Sequence, residues 1–102
     1  MTTYEVTVEV EPGLIAAFTR YMLEQHLPEI LATGCFRCIR FERAAEGRFR
    51  TRYEAEDPGD LERYLSEHTA RFRADFMARF PAGCTASRET WEAVRAFGEA
   101  AG

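Results

Sequence analysis

Residues Tyr4 to Val10 alternate, with Tyr4, Val6, Val8 and Val10 on one side and Glu5, Thr7 and Glu9 on the other. A two-residue period of this kind marks a strand with one buried and one solvated face. The period then lengthens. Leu14, Ile15, Phe18, Met22, Leu27, Ile30 and Leu31 return at spacings of three and four, the stripe of an amphipathic helix, and His26 shares it. Glu11-Pro12-Gly13 opens that helix, with proline in the first turn where its missing N–H costs nothing, and Gly34 closes it. Pro28 lies inside the stripe and removes the hydrogen bond to the carbonyl of Glu24, which predicts a kink.

Alternation resumes from Cys35 to Arg43, placing Ile39 and Phe41 on one side and Cys38, Arg40 and Glu42 on the other. Ala44-Ala45-Glu46-Gly47 is a short connection with a glycine for positive φ, leading into a third strand from Arg48 to Glu56. There Phe49, Thr51, Tyr53 and Ala55 share one face and Arg48, Arg50, Arg52 and Glu54 the other. Asp57-Pro58-Gly59-Asp60 starts a second helix, whose stripe is Leu61, Tyr64, Leu65, His68, Phe72 and Phe76. Arg71, Asp75 and Arg79, four apart, are spaced for exposed ion pairs. Cys84 to Glu92 reads as the fourth strand, with weaker alternation, and a fraying tail is expected from Ala93.

The order β-α-β-β-α-β with one hairpin predicts an α+β, ferredoxin-like fold: a four-stranded antiparallel sheet of order 4-1-3-2 with both helices on one face. At 102 residues the chain suffices for a single domain, with a core from 4–92 and a tail from 93–102. The opposite sheet face carries Glu5, Glu9 and the three arginines of strand three, a complementary cross-strand lattice.

Composition narrows the function classes. The formal net charge is −4 although all 13 basic residues are arginine, so the overall field opposes nucleic acid and acidic membranes. No apolar run reaches the roughly 18 residues of a membrane span, and Met1-Thr2-Thr3-Tyr4-Glu5 lacks the layout of a signal peptide, so a cytoplasmic location is expected. Cys35, Cys38 and Cys84 are an odd number and read as reduced thiols. Cys35-Phe36-Arg37-Cys38 has metal-motif spacing, but positions three apart on a strand point to opposite faces. Neither a metal nor a cofactor is expected.

His26-Leu27-Pro28-Glu29-Ile30-Leu31-Ala32-Thr33-Gly34-Cys35-Phe36, Arg63-Tyr64-Leu65-Ser66-Glu67-His68 and Ser87-Arg88-Glu89-Thr90-Trp91-Glu92 together resemble an uncharacterised family of small bacterial proteins. That family is similar in fold to the dimeric α+β barrels, and the resemblance runs from Tyr4 to Trp91. It implies architecture and homodimerisation. Superfamily members that bind small apolar ligands between sheet and helices include cofactor-independent enzymes, but no catalytic set transfers to this chain.

The resulting expectation is a homodimer that takes a small, partly apolar molecule in a cleft between the helices and the sheet. The candidate ligand-binding residues are His26, His68, Tyr64, Met22 and Cys35, with His26 the best catalytic candidate because imidazole is suited to proton transfer near neutral pH. The rival is a non-catalytic interaction or structural module whose histidines satisfy the core. An open cleft reaching His26 separates the two.

Overall fold

A computed structural model describes residues 1–98 of the chain; of the expected tail, 99–102 lie outside the described residues. Four strands, β1 (Thr2–Val10), β2 (Cys38–Arg43), β3 (Arg48–Ala55) and β4 (Cys84–Glu92), form one sheet. Every pairing is antiparallel. The order across the sheet is β2-β3-β1-β4, which from the β4 edge reads 4-1-3-2. Four helices, α1 (Ile15–Tyr21), α2 (Leu27–Leu31), α3 (Pro58–Glu67) and α4 (Thr69–Arg79), supply the second layer. A 3₁₀ turn at Pro12–Leu14 leads into α1.

The alternation read along β1 and β3 is the partition found. Tyr4, Val8, Phe49, Tyr53 and Ala55 are buried under the helices, while Glu9, Arg48 and Arg50 are exposed. The hairpin turn rests on Gly47, at φ +80°, where a Cβ would stand 2.6 Å from the Val10 carbonyl oxygen. The glycine carbonyl in turn accepts from Val10 N at 2.7 Å, tying the hairpin to β1. Asp57 caps α3 through Oδ1, which accepts from Asp60 N at 3.2 Å.

Three elements depart from the sequence expectation. First, β2 begins at Cys38 and not Cys35. Gly34, at φ +76°, turns the chain beneath the sheet, so Cys35 and Phe36 become core plugs before pairing starts with Arg37 N to Glu54 O at 2.9 Å. The strand argument about Cys35 and Cys38 therefore does not apply. Cys35 is buried in a loop, Cys38 is partly exposed, and both are free.

Second, the expected second helix is two. His68, at φ −123° and ψ −32°, separates α3 from α4. A four-residue step overshoots a 3.6-residue turn by about 40°, so a straight helix would rotate Phe76 about 120° away from Tyr64. The break re-aims the second half, and Tyr64 and Phe72 are both buried.

Third, the first helix meets the same drift with an inserted residue. Met22–His26 forms a π-helical turn between α1 and α2, with Leu27 N bonded to the Met22 carbonyl. Phe18, Met22, His26 and Ile30, each four apart, consequently all stay buried. Pro28 falls in the first turn of α2. The anticipated irregularity is thus a π turn just ahead of the proline, a feature that recurs at functional sites.

Nor do Arg71, Asp75 and Arg79 pair with one another. Arg71 Nη1 donates to His68 Nδ1 at 2.7 Å and its guanidinium lies over Phe72, whereas Arg79 Nη2 donates to Gln25 Oε1 at 3.2 Å and covers Tyr21. Aromatic faces and local acceptors hold these two guanidiniums.

Candidate functional site

The core holds two aromatic groups bridged by Phe72 and His26. Phe18 centres one, 5.0 Å from Phe49 and 6.1 Å from Phe41, Phe76 and Phe80. In the other, Phe36 lies 5.3 Å from Tyr53 and 4.9 Å from Tyr64, with Tyr4 at 5.8 Å from Tyr53. Beside them β4 extends the sheet past the helices: apart from Cys84, partly buried, all its residues are exposed. The result is a cleft of about 310 Å³, floored by β1, β3 and β4 and roofed by the π turn, the end of α3 and α4. That volume lies at the lower end of the range for small-molecule sites.

Of the sequence candidates, His26, Met22 and Tyr64 line this cleft. Cys35 and His68 do not. Cys35 is 1% exposed within the loop ahead of β2, and His68, at the helix break, is bonded to Arg71 and stacked on Tyr64 at 6.2 Å. Sequence reasoning missed the sheet side, where Tyr4, Thr51 and Tyr53 form the floor, and the rim residues Arg73, Ala86 and Arg88. A signal for the rim was present: Val8 pairs with Ala86, Val6 with Arg88 and Tyr4 with Thr90, so β4 places small or polar residues beside the buried face of β1.

His26 is held between rings. Tyr21 stacks on it at 5.3 Å, Phe72 meets it edge-on at 5.9 Å, and Phe76 lies at 6.0 Å. Its Nδ1 shares a hydrogen with Tyr21 Oη at 3.3 Å, so Nε2 is the nitrogen left for a ligand. Burial pulls its pKa down to about 4, against a smaller opposing pull from Asp75. The imidazole is therefore neutral at pH 7, and a group with so low a pKa is a weak base there.

The phenols are protonated too. Burial, the largest influence, pushes Tyr64 up to about 12, although Thr69 and Arg73 act the other way. Burial likewise raises Tyr53, opposed in part by Thr51 and Arg88. Arg73 Nη2 donates to Tyr4 Oη at 3.3 Å, which brings its guanidinium to the rim. The floor thus offers neutral donors and acceptors under an apolar roof, with positive charge at the mouth.

Among the described residues, no group of three or more His, Cys, Asp or Glu side chains is placed to hold a metal ion. No helix there is long and apolar enough to cross a membrane.

The family described as "Domain of unknown function (DUF4286)" matches residues 1–94. The chain belongs to the DUF4286 family. No curated protein matches it. The family's function is not established, so the geometry of this DUF4286 chain has to carry the functional reading.

Proposed function

We propose that the protein binds a small, partly apolar molecule in the cleft between the π turn, α3, α4 and the sheet. The observation that carries this reading is the cleft itself, which reaches His26, Met22 and Tyr64 from outside. An imidazole serving only the core would be enclosed on every side. In this reading His26 is a neutral hydrogen-bonding wall of the site, its depressed pKa fitting it for anchoring better than for proton abstraction. Met22 and Tyr64 are contact residues, and Cys35 and His68 are given no part.

The reading includes a homodimer of the α+β-barrel type. Among the described residues neither edge strand, β2 or β4, has a further strand beside it, Trp91 is 50% exposed on the outer face, and an open edge favours pairing with another chain. The free thiols Cys35, Cys38 and Cys84 suit a reducing, cytoplasmic setting. A sedimentation mass equal to one chain at micromolar concentration would remove the dimer from the proposal.

A melting screen across apolar acids, phenols and lactones tests the binding function, because a molecule bound only by the folded chain raises its stability. His26→Gln keeps hydrogen bonding and removes titration. The response to a hit should therefore survive it, whereas His26→Leu, which removes both ring nitrogens, should abolish the response while lowering stability by no more than about 1 to 2 kcal/mol. Loss of several kcal/mol with every ligand response intact would favour the structural module instead.

A further inference from the structure

The distribution of charge around the cleft says more about its occupant. Arg73 and Arg88 stand at the rim, and among the described residues no Asp or Glu side chain lines the cavity. Neither arginine has an ion-pair partner among the described residues, although acidic residues outnumber basic ones in the chain. The two come from different elements, α4 and β4, yet converge on one opening. Arg73 is aimed there by its bond to Tyr4 Oη. Beneath them the lining changes character, to Met22, Phe72 and Phe76 on the roof and Val6 and Val8 on the floor.

We propose that the cleft takes a small carboxylate carried on a ring or branched apolar body, with Arg73 and Arg88 receiving the charged end and the body lying against Phe72 and His26. This rests on the binding function proposed above and adds the ligand's class to it. Guanidinium groups match carboxylate geometry and form the stronger, charge-assisted hydrogen bonds. Size sets a second bound: a cavity of about 150 Å³ holds benzene, and this one is about 310 Å³. One ring with a short acid side chain fits.

The test is an NMR titration of the full chain with phenylacetate, 3-phenylpropionate and 2-naphthoate, each against its primary amide, which keeps shape and removes charge. At least one acid should bind tenfold or more tightly than its amide, and the ratio should shrink as salt rises from 50 mM to 500 mM, as screening of a rim charge requires. Arg73→Gln and Arg88→Gln should each lower the acid's affinity threefold or more and leave the amide unaffected. Arg48→Gln, the same charge change on the outer face, should alter neither. Amides binding as well as acids would overturn the carboxylate assignment and leave the binding function standing. Failure of every acid and every amide at millimolar concentration would overturn both.

Discussion

The two faces of the sheet treat arginine in opposite ways. On the outer face Arg40 pairs with Glu54 at 2.9 Å, Arg50 with Glu42 at 2.8 Å, and Glu5 lies between Arg50 and Arg52 at 3.9 and 3.7 Å. Three arginines of that face thus stand within 4 Å of carboxylates, while Arg48 has no such partner among the described residues and Arg52 Nε is buried without a hydrogen bond. Over the inner face Arg88 of β4 and Arg73 of α4 meet phenols and apolar groups but, among the described residues, no carboxylate. Since strand residues alternate between faces, neighbours in the chain experience both regimes, and the difference separates a surface laced with carboxylates from a cleft whose cations meet none.

The sharpest way to test that division is to substitute adjacent residues on opposite faces. Phe49 is 3% exposed, 5.0 Å from Phe18 and stacked on Phe41 at 5.4 Å. Phe49→Ala should cost about 3 to 5 kcal/mol in urea unfolding. Arg50→Ala, one position on, should cost no more than about 1 kcal/mol, since its nearer carboxylate partner, Glu42 at 2.8 Å, is solvated. Equal losses would abolish the distinction between the faces.

A second test uses pH. His26 is held near 4 in the folded chain against 6.5 in the ordinary case, so between those values the unfolded chain binds more protons. Stability is therefore full above the unfolded value and declines as pH falls toward the folded one, by about 3 kcal/mol at pH 4. Unfolding curves at pH 7 and pH 4 should show that loss in the native chain beyond whatever remains in His26→Gln. An identical pH response in the two would mean that His26 is not buried as a neutral group.

How much of this was legible in the sequence follows from which positions obey simple periods. The strand faces were readable because Tyr4, Val6 and Val8 and then Phe49, Thr51 and Tyr53 alternate cleanly. The helical irregularities were readable only in part: Pro28 marked one in the first helix but not its form, and no residue marked the break at His68. Stripes built from four-residue steps look continuous on paper, and only the accumulated rotation shows that Phe18–Met22–His26–Ile30 needs a π turn and that Tyr64 and Phe72 need the break at His68. Cys35 was misplaced because Gly34 delays the strand by three residues. The rim arginines were overlooked because Arg73 sits beside the stripe and Arg88 on the strand with the weakest alternation, yet weak alternation there is what leaves the cleft uncovered.

Ala86 tests that last point with a smaller effect. It is exposed, lines the cleft and pairs with Val8. Ala86→Leu should lower ligand affinity about tenfold by occupying space while shifting stability by no more than about 0.5 kcal/mol, as expected for a surface position. Unchanged affinity would mean that the ligand does not enter between β4 and α4.

The smallest expected effect lies on the outer face. A double-mutant cycle on Arg50 and Glu42 should give a coupling of about 0.2 to 1 kcal/mol that weakens with salt.

The most direct test of the central claim maps where a ligand touches. Amide and side-chain shifts recorded during the phenylacetate titration should move together at Met22, His26, Tyr64 and Phe72, with Arg40, Glu42 and Arg50 unmoved. Shifts confined to the outer face, or none at millimolar ligand, would contradict the account.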